Sequence, residues 1–249
     1  MQCHTFGVKG NPTVVLLHGA GLSWWGYQDA AALLAKDYYV VLPLIDGYGD
    51  AADEPFQSIE HSAEALLGYL NAEFQGHVFA LGGLSLGAQI AVETLRRAPT
   101  VADYAVIESA LVDPIPGVDR WMALTVRMSF GLLKHRWFAR LQANALLLPD
   151  ALFETYYRDS LRVTPETLLN TLKSNNAYTV RPGLADTRAK ALVIAGGREM
   201  AAMRKSAQML AVTMPGSELW VAEGMKHGEL SLRHPQAFVD KLKAFWGKA

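Results

Sequence analysis

Short apolar runs rich in β-branched residues alternate along the chain with longer stretches in which apolar residues recur every three or four positions. The first run, Thr13 to Leu17, reads TVVLL, and similar runs recur at Tyr38 to Leu42, Val78 to Leu81, Tyr104 to Ile107, Ala191 to Ala195 and Leu219 to Val221. Unbroken apolar runs of this length suit strands covered on both faces, so six buried strands are expected. Between them Ile59, Ala63, Leu66, Leu67, Leu70 and Phe74 form one apolar stripe at helical spacing. Strand–helix–strand alternation implies right-handed crossovers and a mostly parallel central sheet flanked by helices, an α/β fold.

The alternation stops between about Asp113 and Arg181. DPIPG opens a stretch rich in Leu, Met, Trp, Phe and Tyr with helical character, and Pro182-Gly183 closes it. Turn-forming residues at both borders mark an insertion in a surface loop. The expected organisation is a core of residues 1–113 and 181–249 with a helical insertion over 114–180.

Composition narrows the function classes. Of 249 residues 51% are hydrophobic, enough for a sizeable core, and 23 Lys and Arg stand against 24 Asp and Glu. With no net field to gather polyanions, nucleic acid is not an expected partner. Cys3 is the one cysteine, which excludes an internal disulfide framework and a Cys-rich metal site. Met1 to Gly10 lack the pattern of a secretory signal, so the expected location is the cytoplasm. The apolar stretch around Trp121 to Leu133 is interrupted by Arg127 and is shorter than the ~20 residues of a membrane span. The oligomeric state stays open, a homo-oligomer included.

The chemistry begins at Gly83-Leu84-Ser85-Leu86-Gly87, which follows one apolar run directly and precedes a helical pattern through Ala88 to Arg97. A nucleophile on a sharp strand-to-helix turn needs small neighbours on both sides, because strand and helix approach closely there. Ser85 would then sit at a helix N-terminus on the carboxyl edge of the sheet, where open α/β sheets bind ligands. A serine hydroxyl attacks only when a base takes its proton. His227, in Gly224-Met225-Lys226-His227-Gly228 just past the last strand, emerges on that same edge; His4, His61, His77, His135 and His234 have no comparable placement, and His18 is expected to shape its loop.

A carboxylate should orient the imidazole. Glu199 lies just beyond the Ala191 to Ala195 run and upstream of His227, giving the chain order Ser85, Glu199, His227; Asp113 is the rival acid. Backbone N–H groups must meet the oxyanion. The turn His18-Gly19-Ala20-Gly21 and the residue after the nucleophile offer the amides of Ala20 and Leu86.

Together HGAG, the Asp46-Gly47-Tyr48-Gly49 turn, GLSLG, a glutamate after a later strand and a late His-Gly resemble the α/β-hydrolase superfamily over nearly the whole chain, most nearly its small esterase-like members with a helical cap. That resemblance implies hydrolysis of an ester, thioester or related acyl substrate without metal or organic cofactor. Members of that superfamily usually open with extra antiparallel strands, whereas here only Gln2 to Val8 precedes the first long strand, so the sheet is expected to be trimmed at its start. Serine rather than aspartate at position 85 argues against the haloalkane and epoxide branches.

The insertion should wall a largely apolar pocket, with Trp24, Trp25, Trp121 and Met128 as candidate lining and a small-molecule ester of small to medium apolar acyl or aromatic type as substrate. The expected mechanism is acyl transfer in two steps through Ser85, His227 and Glu199. Two other functions fit the same residues. One is a ligand-binding or signalling protein with slow or single-turnover chemistry; the other is a different reaction of the same triad, such as C–C bond hydrolysis, a lyase reaction or perhydrolysis.

Overall fold

The computed structural model describes residues 1–117, 122, 126, 128 and 130–247. Seven strands form one sheet in the order β1-β3-β2-β4-β5-β6-β7, comprising β1 (Cys3–Phe6), β2 (Thr13–Leu17), β3 (Tyr39–Pro43), β4 (Val78–Leu84), β5 (Ala102–Glu108), β6 (Lys190–Gly196) and β7 (Glu218–Ala222). All neighbours pair in parallel except β1, which runs antiparallel to β3 with Cys3 opposite Pro43. Each of the six expected runs falls on a strand, with Tyr38 just ahead of β3, but the last is not buried: β7 is an edge strand, and Leu219 and Val221 are each 37% exposed. β1 is an additional edge strand, so the sheet opens with one antiparallel strand.

Helices α1 (Gln28–Leu34) and α9 (Pro235–Trp246) cover one face, and α2 (Ile59–Phe74), α3 (Leu86–Arg97) and α7 (Ala201–Thr213) the other. The reason the strands read as unbroken apolar runs is visible in β2. Val15 and Leu17 join the core under α2 and α3, while Val14 and Leu16 join the core under α1 and α9; successive side chains point to opposite faces, and here neither face meets water. Local signals set the helix ends. Ser58 accepts from the His61 N–H at 3.1 Å to cap α2, and Pro235 opens α9.

Between β5 and β6 the described residues form no strand. They include α4 (Arg136–Ala145), α5 (Phe153–Ser160) and α6 (Pro165–Ala177). Thr164 caps α6 through the Thr167 N–H, and several hydrogen bonds tie this helix to the segments that follow β3. Tyr48 Oη and Thr171 Oγ1 are 2.6 Å apart, the Phe56 N–H donates to Thr167 Oγ1 at 3.3 Å, and the Ile59 N–H donates to Ser174 Oγ at 3.0 Å. A second tie is buried: Trp25 Nε1 donates to Asp159 Oδ2 at 2.8 Å. Among the described residues no helix is long and apolar enough to cross a membrane.

The connection reverses direction across β2, which has β3 on one side and β4 on the other. In open α/β sheets the crevice outside the carboxyl ends of strands at such a switch point is where ligands bind. Here those ends lead into His18-Gly19-Ala20 and into Ser85.

Candidate active site

Ser85 joins β4 to α3 with φ +55° and ψ −113°, a conformation costing a non-glycine residue on the order of 1–3 kcal/mol and retained only where its surroundings enforce it. The enforcement comes from two glycines. A Cβ on Gly87 would lie 2.2 Å from the Leu17 carbonyl oxygen, and one on Gly83 would lie 2.5 Å from the Gly87 carbonyl carbon. The turn is therefore packed backbone to backbone against the end of β2. The Ser85 N–H donates to the Glu108 carbonyl at 2.9 Å, and the Ser85 carbonyl accepts from Gln89 at 3.0 Å, starting α3.

The oxyanion candidates lie on the same edge. Leu86 is the first residue of α3, so its N–H belongs to the helix-end donors that have no intrahelical acceptor. The turn bearing Ala20 is set by His18. Its Nε2 accepts from the Ile45 N–H at 3.2 Å, which leaves Nδ1 to carry the proton and donate to the Gly19 carbonyl at 2.9 Å. Burial lowers the His18 pKa to about 4, so the ring stays neutral and keeps both contacts.

His227 lies between β7 and the short α8 (Glu229–Arg233), and Glu199 between β6 and α7. Their loops are stitched together. The Gly197 N–H donates to the Ala222 carbonyl and the Arg198 N–H to the Met225 carbonyl, each at 2.9 Å. Gly196 permits this, because a Cβ there would meet the Met225 carbonyl oxygen at 2.5 Å. As a result Glu199 Oε1 lies 3.2 Å from His227 Nδ1, with the carboxylate side chain fully buried and the imidazole 44% exposed. Asp113 lies elsewhere: its carboxylate pairs with Lys205 at 2.9 Å.

Ser85 and His227 face one crevice of about 60 Å³, lined also by Gly19, Ala20, Leu84 and Leu146. It has room for a water molecule or a single reacting group. Ala20, Ala145 and Leu146 also line an adjoining chamber of about 350 Å³, otherwise walled by residues such as Tyr48, Leu133, Tyr156, Leu168 and Leu172. The chamber is mostly apolar, of a size usual for small-molecule sites.

The aromatic candidates are placed differently. Trp24 stacks on His4 with ring centroids 4.0 Å apart, and Trp25 is buried, its Nε1 bonded to Asp159 of α5. Met128 is 73% exposed, and Trp121 lies outside the described residues. Among the described residues the walls come instead from α4, α5, α6 and the segments beside them, Leu133 included, together with Ala20, Gly21 and Tyr48, with Leu146 at the junction. The pair Glu108-Ser109, at and just past the end of β5, is also buried here, and neither residue stands in a sequence motif.

The family model for the alpha/beta hydrolase family matches residues 14–241, and the chain belongs to that family. Solved structures similar to it include an esterase from Thermogutta terrifontis, at 17% identity and TM-score 0.79, covering 99% of this chain and 93% of that one. An enol-lactonase from Burkholderia xenovorans is 18% identical with TM-score 0.80, covering 100% and 96%. A bromoperoxidase from Bacillus anthracis is 16% identical with TM-score 0.80, covering 99% and 95%. These likenesses establish a shared fold.

Proposed function

We propose that the chain is a serine hydrolase of carboxylic esters, thioesters included, that acts through Ser85, His227 and Glu199. The observation that carries the reading is the 3.2 Å approach of Glu199 Oε1 to His227 Nδ1 beside a crevice shared with the strained Ser85. Nδ1 must hold a proton to bond the carboxylate, which frees Nε2 as the base.

In the first step Ser85 Oγ bonds to the substrate carbonyl carbon while His227 takes the hydroxyl proton, and the negative charge on the carbonyl oxygen is met by the N–H groups of Ala20 and Leu86. Collapse expels the alcohol, protonated by His227. Water then attacks the acyl-enzyme, again giving its proton to His227, and releases acid and Ser85. The insertion over 114–180 acts as a cap whose chamber holds the apolar part of the substrate, an acyl or aromatic group of small to medium size, in a cytoplasmic enzyme.

Turnover of p-nitrophenyl esters from acetate to decanoate by the parent and by Ser85→Ala tests the reading. Sustained release of p-nitrophenol by the parent alone is expected. Equal rates for both proteins would remove Ser85 as nucleophile, and a single burst that stalls would replace a turning-over enzyme with a binding protein.

A further inference from the structure

We propose that Ser109 is a positioning residue that fixes the orientation of the Glu199 carboxylate; this rests on the triad proposed above. Strand β5 lies between β4, which carries Ser85, and β6, which leads to Glu199, so its last residues can reach both. The Glu108 carbonyl accepts from the Ser85 N–H at 2.9 Å. The Glu108 side chain accepts at 3.4 Å from the Ser231 N–H, in the helix that begins two residues after His227. Ser109 supplies the third tie. Its N–H donates to the Ile194 carbonyl at 2.9 Å on β6, and its hydroxyl donates to Glu199 Oε1.

The same oxygen, Oε1, faces His227 Nδ1. The other, Oε2, is buried and without a partner among the described residues. Both directional contacts of the carboxylate therefore fall on one atom. A glutamate has one more torsion than an aspartate, and its terminal torsion is broad, so a buried glutamate needs an external contact to hold the plane of its carboxylate towards the imidazole. Ser109 supplies that contact. Its backbone has φ +56°, an uncommon conformation for a non-glycine residue, and one that carries its hydroxyl to the acid.

The test uses Ser109→Gly, which suits the positive φ and deletes the hydroxyl, with Ser109→Ala as a second variant and thermal unfolding to confirm that each folds. The readout is covalent modification of Ser85 by a fluorophosphonate probe, located by mass spectrometry, which needs no knowledge of the natural substrate. The maximal rate of modification should fall about tenfold or more, as expected for a lost hydrogen bond to a charged group, with the half-saturating probe concentration unchanged. Combined with Glu199→Gln, the serine substitution should add no further loss, whereas a purely structural role would add its own. Ser109→Gly and Ser109→Ala reacting like the parent while Glu199→Gln is slow, or losses that add, would overturn the proposal. If Glu199→Gln itself reacts like the parent, the triad falls, and the role of Ser109 falls with it.

Discussion

Glu199 Oε1 sits 3.2 Å from Nδ1 of His227, while Asp113, the other acid near a strand end, is paired with Lys205. The two carboxylates thus differ in what they can do to the imidazole. Glu199→Gln should lower kcat for a p-nitrophenyl ester by about 10³–10⁴-fold, the scale of losing the group that sets the tautomer. Asp113→Asn should stay within a few-fold of the parent. Steady-state rates of the two variants side by side check this, and the opposite ranking would transfer the acid's role to Asp113.

The elbow depends on the absence of a side chain at position 87, where a Cβ would lie 2.2 Å from Leu17 O and 2.6 Å from His18 O. Gly87→Ala must push the end of β2 aside, costing about 1–3 kcal/mol as overpacking does, and displaces Ser85 from its turn. Gly68, within α2, has open space around it, and Gly68→Ala should be neutral or stabilising by up to ~1 kcal/mol. Urea midpoints and Ser85 modification rates distinguish the two substitutions.

Burial raises the Glu108 carboxyl from 4.5 to about 7. Between these values the folded protein keeps a proton that the unfolded chain has released, so this residue's contribution to stability falls as pH rises from 4.5 to 7. Above that range the buried charge costs ~3 kcal/mol, as the shift implies. His18 acts in the opposite sense, its neutral buried ring losing stability as pH falls from 6.5 towards 4. Comparing Glu108→Gln with the parent cancels the histidine. The variant's stability relative to the parent should be higher at pH 8 than at pH 5, measured by urea unfolding; an equal difference at both would mean that Glu108 is not protonated in the fold.

Leu146 lines both the 60 Å³ crevice and the 350 Å³ chamber. A bulkier side chain there narrows the passage between the two, which Ala20 and Ala145 also line. Leu146→Trp should spare p-nitrophenyl acetate while reducing kcat/KM for decanoate at least tenfold. A uniform loss across chain lengths would place the acyl chain elsewhere.

The central strands were legible because both of their faces are covered, so Val14 to Leu17 need no polar alternation. The edge strand Cys3–Phe6 was not, since its residues are only partly buried and its sequence mixes polar and apolar side chains. Gly83 and Gly87 announced the close approach at Ser85. The approach of Glu199 to His227 depends on Gly196 seating one loop against the other, and that spans residues far apart in sequence. Ser109 and Leu146 carry no local signal; their positions follow from strand order and from how the helices between β5 and β6 fold back onto the sheet. Trp24 and Trp25 stand just beyond the Gly19-Ala20-Gly21 turn in sequence, where they could line a pocket or anchor the next helix; in the fold one stacks on His4 and the other bonds Asp159.

Acylation of Ser85 is tested by mixing the protein with p-nitrophenyl butyrate, quenching with acid within the first turnover and determining by mass spectrometry which peptide carries the acyl group. A butyryl mass on the peptide containing Ser85 is predicted, absent in Ser85→Ala. Continued turnover with the acyl group on another residue, or with none on the chain, would contradict a covalent mechanism at Ser85.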